Sequence, residues 1–187
     1  LIGVIMIYDY WTWKNFFNLK DIKEINKLCN KFKVEHFKDI KAQKATKIAT
    51  VSGVYFKKVE QKLHNMYHQI KYINNTRFGY NLFEVPDLEI LNFNTYDSKD
   101  RAEYGWHIDH SGSLTHDCKF TVLINTSEKK YEGGHFNLFF GQTIKIEAFD
   151  KPGTVLMFKS HLHHQVTPIT KGKRTTLTLF LKGPRFI

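Results

Sequence analysis

The sequence predicts a mainly β fold, a double-sheet jelly roll or barrel with N-terminal helices packed on its outside. Three features point to it. Short runs of β-type apolar and polar residues fill the chain from about residue 80 onward. Turn signals separate them, among them "EVPD", "SGS", "EGG", "FGQ", "DKPG" and "TKGK". Two apolar stripes at helical spacing come before them. The 187 residues suit one domain, read as a helical support region over 1–78 and a jelly-roll core over 79–187.

The elements follow in order. "LIGVIMIYDYWTW" opens with an apolar run that is too short to span a bilayer and has no basic flank, so it reads as a buried strand or extended segment. Over 19–33, Ile22, Ile25, Leu28 and Phe32 recur at helical spacing. Over 57–75, Val59, Leu63, Met66, Ile70 and Ile73 form a second stripe, which reads as core. The predicted strands are "YNLFEV", "LEILNFNTY", "YGWHID", "CKFTVLINT", "HFNLFF", "TIKIEAF", "TVLMFK", "HHQVTPI" and "RTTLTLFLK".

Composition narrows the function classes. An apolar fraction of 42% and an aromatic fraction of 15% exclude a disordered chain. Cys29 and Cys118 fit no CxxC spacing and read as free thiols in a reducing compartment, which suggests a cytoplasmic location and no membrane partner. The net charge of +10 raises the question of nucleic acid, but its placement weakens that reading. Residues 1–71 carry fourteen Lys against six acidic residues, while 72–187 carry fourteen basic against twelve acidic. The excess therefore sits mostly on what read as solvated helix faces.

The chemistry is concentrated in "YGWHIDHSG". Side chains at i and i+2 of a strand share a face, so His107 and Asp109 converge while Ile108 points away. An imidazole and a carboxylate so placed can hold a proton between them, or a metal. Further on, "KSHLHHQVTPITKGKRTTL" brings His161, His163 and His164, and then Arg174 entering the last strand. Two histidines and one carboxylate on one face of a metal, with the other positions open, mark non-haem Fe(II) oxygenases. One of the later histidines can complete that set.

With these residues in place, the chain resembles the Fe(II) and 2-oxoglutarate-dependent dioxygenases, in particular the prolyl 4-hydroxylase-like and PKHD-type branch. The resemblance covers roughly 79–187, through "NTYDSKDRAEYGWHIDHS", "YEGGHFNL", "KPGTVLMFKS" and "HQVTPITKGKR", and extends to the opening "YDYWTWKNFFNLKDIKEINKLCN". It implies a double-stranded β-helix fold. It implies that His107, Asp109 and His164 are the iron ligands and catalytic set, His164 being the histidine directly before "QVTP". It implies that Arg174 grips the far carboxylate of 2-oxoglutarate, a task that suits the guanidinium fork. Thr176, two residues on, and Tyr96 are further cosubstrate contacts by the same resemblance. The implied cofactors are Fe(II) and 2-oxoglutarate, with ascorbate as a further candidate.

Some positions depart from the pattern. Leu123 stands where some prolyl hydroxylases have a second tyrosine, a role that Thr121 or Thr176 could fill. His135 follows "EGG", where related proteins often carry Glu. His110, His116, His161 and His163 read as surface or supporting residues and not as ligands. Tyr104 and Trp106 flank the ligand strand as rim aromatics, and the loop from Tyr96 to Glu103 borders the expected mouth. The implied reaction is hydroxylation of an amino-acid side chain, above all prolyl, in a peptide or protein substrate, with release of succinate and carbon dioxide. Nucleic acid as the partner, with oxidation of a base, is the rival; Lys99 and Arg101 near the mouth are offset by Asp97, Asp100 and Glu103. A metal-binding jelly roll without catalysis is the third reading.

Overall fold

A computed structural model of the chain describes residues 8–44, 46–109 and 114–185. His110 and the "SGS" turn, both part of the sequence reading, lie outside the described residues. In chain order the elements are β1 (Tyr10–Trp13), α1 (Leu19–Lys31), β2 (Ile40–Lys44), β3 (Lys47–Tyr55), α2 (Glu60–Ile73), β4 (Ile90–Asp97), β5 (Glu103–His107), β6 (Asp117–Asn125), β7 (Glu132–Gly133), β8 (Phe136–Phe140), β9 (Gln142–Lys145), β10 (Val155–Lys159), β11 (His163–Val166), β12 (Ile169–Lys171) and β13 (Lys173–Gly183).

The stripes read from the sequence are the buried faces of the two helices. α1 starts at a capping box, in which Asn18 Oδ1 accepts from the Asp21 N–H and Asp21 Oδ2 accepts from the Asn18 N–H. Ile22 and Ile25 of α1 and Leu63, Met66 and Ile70 of α2 are buried against the sheet.

One antiparallel sheet runs β1-β10-β6-β13-β4-β3-β5-β11-β8-β9, with β2 as a branch on β3; β7 and β12 pair separately. The sheet curls, and the alternation of its strands sorts residues between two interiors. From β6, Phe120, Val122 and Ile124 pack against the helices while Leu123 faces the inner cluster. From β13, Leu177, Leu179 and Leu181 join the helices, whereas Arg174, Thr176, Thr178 and Phe180 line a cavity on the opposite face. A single strand thus supplies core on one face and chemistry on the other. At about 2–5 kcal/mol for truncating a buried leucine, Leu179→Ala alone would remove a large share of a typical domain's stability.

The structure departs from the expected elements in two places. β1 falls within the opening segment read as strand or extended chain, but the region expected to be helical over 1–78 also contributes β2 and β3, and β3 lies inside the sheet, paired to β4 and β5. Its partner strand "IKAQK" is short and lysine-rich, with only Ile40 and Ala42 apolar, so the hairpin left little periodic signal. "YNLFEV" is not a strand. The Asn74 side chain satisfies both backbone groups of Tyr80, and Phe83 makes a single backbone bond to Lys182 before Pro86 interrupts the chain.

Candidate active site

Three strand ends bring the ligand set together. His107 closes β5, Asp109 follows two residues later, and His164 sits in β11, paired directly opposite His107. One potential ligand atom from each residue lies within 4.8 Å of the other two. His107 Nδ1 is 2.7 Å from the Gly105 carbonyl and His164 Nδ1 is 3.0 Å from the Leu162 carbonyl. A carbonyl only accepts, so each Nδ1 carries the hydrogen and each Nε2 keeps its lone pair. Both Nε2 atoms face Asp109, at 3.6 Å from Oδ1 for His107 and 3.2 Å from Oδ2 for His164. A backbone carbonyl that fixes the tautomer is the usual support of a metal-binding histidine.

The charges suit a cation. Burial, with His164 as the next cause, pulls the His107 imidazole down to about 4, so the ring is neutral at neutral pH. Burial alone would raise Asp109, but its polar neighbours, first His164 and then the donating Thr121 hydroxyl, hold the carboxyl below the usual range. Thr121 Oγ1 donates to Asp109 Oδ2 at 2.7 Å, and the Asp109 N–H donates to the Ser160 carbonyl.

Across the cavity stands Arg174, 1% exposed, with Nε and Nη2 without a hydrogen-bond partner. The guanidinium carbon lies 5.5 Å from the Tyr96 ring centroid and 5.2 Å from that of Phe149. The "EGG" turn makes room for it. Gly133 and Gly134 both adopt positive φ, and a Cβ on Gly134 would meet Ile169 Cδ1 at 2.1 Å and Arg174 Cδ at 3.1 Å. Buried guanidinium donors left unsatisfied are costly unless an anion takes them. The donor set and this orphaned fork therefore fit an iron(II) ion and a dicarboxylate such as 2-oxoglutarate.

Residues 91–182 match the family model of the 2OG-Fe(II) oxygenase superfamily. This segment belongs to that superfamily. A PKHD-type hydroxylase of Nitrosomonas europaea is 32% identical over 102 residues, which are 49% of this chain and 42% of that protein. The chain thus spans less than half the length of the curated relatives it matches. A prolyl-4-hydroxylase of Pseudomonas putida has the same fold, with a TM-score of 0.71 at 17% identity over 96% of this chain and 94% of that one. A prolyl hydroxylase of Trichoplax adhaerens, solved with a hypoxia-inducible-factor degradation-domain peptide, gives 0.65 at 17% identity over 92% and 83%.

Around this site the other expected residues fall as follows. Tyr96 and Thr176 line the same cavity as Arg174. Leu123 lines it too, while Thr121, the considered substitute for the missing tyrosine, bonds to Asp109 instead. His135 stands outside the cavity, its Nδ1 2.8 Å from Asp150 Oδ2. His161 and His163 are exposed, whereas His164 is buried. The loop after Tyr96 contributes no residue to the cavity wall.

Tyr104 does more than line the rim. Its ring stacks on His107, with centroids 3.4 Å apart and planes 14° apart, while Trp106 is 41% exposed and meets Phe139 edge-on. β11 advances two residues, from His164 to Val166, while β5 advances three, from His107 to Tyr104. This bulge turns Tyr104 to the side of His107. Lys47 and Asn94 are among the cavity residues that escaped the sequence reading. Lys47 enters from β3, and Asn94 from β4 accepts from its ammonium at 3.2 Å. The β3 pairing places Lys47 directly opposite Tyr104, a relation no local pattern encodes.

Proposed function

We propose that this chain is a 2-oxoglutarate-dependent hydroxylase that acts on an amino-acid side chain, above all prolyl, of a polypeptide. The observation that carries the proposal is the convergence of one potential ligand atom each from His107, Asp109 and His164 within 4.8 Å, facing the orphaned Arg174 fork across one cavity. His107, Asp109 and His164 would hold iron, and Arg174 would hold the distal carboxylate of 2-oxoglutarate, with Tyr96 and Thr176 beside it. When bound, the pair supplies oxidative decarboxylation, giving succinate and carbon dioxide and placing one oxygen atom of O₂ in a substrate C–H bond. The chain positions the reactants. Thr121 and the Ser160 carbonyl orient Asp109, Tyr104 holds the His107 ring flat, and Leu123, Phe136 and Val166 keep the wall apolar.

On the outer side of Asp109 a groove runs over Ile108, Phe180 and Cys118 to Glu89 and Lys182. Lys182 makes two 2.8 Å bonds to the Glu89 carboxylate, so its charge is already matched. Lys173 is likewise paired to Asp97 and Lys159 to Asp9. A groove of mixed polarity that carries two carboxylates and a neutralised lysine favours a polypeptide over a phosphate backbone. The peptide bound to the Trichoplax relative supports the same choice.

The test is succinate release with Fe(II), 2-oxoglutarate and O₂, comparing proline-rich peptides with single-stranded oligonucleotides. Stimulation by peptide is expected. Stimulation by oligonucleotide alone, falling steeply with salt, would overturn the polypeptide reading.

A further inference from the structure

Lys47 is the one lysine among the cavity-lining residues. It is half-buried, and its only hydrogen-bond acceptor among the described residues is Asn94 Oδ1 at 3.2 Å. The ammonium lies 4.6 Å from the centroid of the Tyr104 ring, the same ring that stacks on His107. An ammonium offers three donors, and this one has a single neutral acceptor and an aromatic face. Asp109 is the carboxylate that acts on it, from beyond ion-pair distance. Burial lowers the ammonium to about 8, so at neutral pH it remains charged without a contacting counter-ion.

The charge balance of the occupied site sharpens the point. Iron(II) and Arg174 bring three positive charges, and Asp109 and the 2-oxoglutarate dianion bring three negative ones. That set is neutral without Lys47. Adding Lys47 leaves one positive charge in a partly dry cavity, where a buried charge needs a partner. The two cosubstrate carboxylates are already engaged in this reading, by the metal and by Arg174. The remaining open direction is the groove past Tyr104 and Asp109, a pair that lines both the cavity and the groove.

We propose that Lys47, held between Asn94 and Tyr104, binds a carboxylate carried by the substrate next to the carbon that is hydroxylated. The substrate is then an acidic polypeptide segment, with the carboxylate from an Asp or Glu neighbour or from a C-terminus. This inference rests on the iron and 2-oxoglutarate reading of the site.

Calorimetric titration of the full chain, loaded with redox-inert Zn(II) and then 2-oxoglutarate, separates the two ideas. The probes are acetyl-Asp-Pro-amide against acetyl-Asn-Pro-amide, and acetyl-proline against acetyl-prolinamide. In the native protein the acid member of at least one pair should bind about tenfold more tightly, the scale of a charge-assisted bond. The pair that shows it identifies the source of the carboxylate. Lys47→Met should erase the preference and Lys47→Arg should keep it, with 2-oxoglutarate affinity unchanged in both, which also shows that the variants are folded. Equal or absent binding of both members in both pairs overturns the role of Lys47. A Lys47→Met protein that loses 2-oxoglutarate affinity as an Arg174 variant does also overturns it and assigns Lys47 to the cosubstrate. Failure of 2-oxoglutarate to bind the native Zn(II) protein would instead sink the underlying reading, and the inference with it.

Discussion

Tyr104 stacks face to face on His107 although the two are three residues apart in one strand. In a regular strand that spacing puts side chains on opposite faces. The bulge against β11 brings them to the same face, and Gly105 between them gives its carbonyl to His107 Nδ1. One irregularity therefore sets both the tautomer and the plane of a proposed ligand.

The stack should be measurable. Tyr104→Ala is expected to weaken Co(II) or Zn(II) binding roughly two- to tenfold, the range of an aromatic pair of about 0.5–1.5 kcal/mol, while Tyr104→Phe stays near the native value. Competition titration against a chromophoric chelator reads both.

Thr121 acts on the other side of the set. Its hydroxyl donates to Asp109 Oδ2 at 2.7 Å, and Thr121→Val keeps the shape without the donor. Metal affinity should fall about 10- to 100-fold, the usual cost of losing an outer-shell partner, with the thermal midpoint little changed. A Val variant with native metal affinity would show that Ser160 alone orients Asp109.

Neighbouring histidines should behave differently. His164→Ala is expected to abolish stoichiometric iron binding and succinate release, and His163→Ala to leave both near native, because His164 is buried toward Asp109 while His163 is exposed. Anaerobic Fe(II) titration of the two variants decides it.

The cosubstrate grip separates from the metal. Arg174→Lys keeps the charge but loses the fork, so 2-oxoglutarate affinity should drop by about 1.5–3 kcal/mol with metal affinity unchanged. Gly134→Ala should have the same signature with the Arg174 guanidinium itself retained, since the new Cβ would press on Arg174 Cδ and Ile169. Equilibrium titrations of both ligands on each variant provide the comparison.

The metal-free protein should lose stability on mild acidification. His107 has a folded pKa of about 4 against 6.5 for the ordinary group. Its contribution is present above about pH 6.5, where both states are neutral, and is lost as pH falls toward 4, because the unfolded chain takes the proton first. The loss is at most about 3 kcal/mol. Asp109, also held low, acts only below the ordinary carboxyl value of 3.8, outside this window. Urea unfolding at pH 7 and pH 5 should show the drop in the native chain and a smaller one in His107→Gln.

The sequence by itself determined what short-range periodicity encodes. The stripes of α1 and α2, the alternation in β6 and β13, and the convergence of His107 with Asp109 all follow from spacings of 3.6 or 2 within a few residues. The role of Arg174 took the resemblance, to which the chemistry of the guanidinium fork added a physical reason. Choosing His164 over His163 took the resemblance, since alternation alone says only that they face apart. Tertiary structure decided the rest through register between strands distant in sequence. The pairing of β3 with β5 set Lys47 beside Tyr104, the slip of β5 against β11 turned Tyr104 onto His107, and Thr121 found Asp109 across twelve residues. Such contacts depend on which strands meet and where a bulge falls, and no local spacing records either.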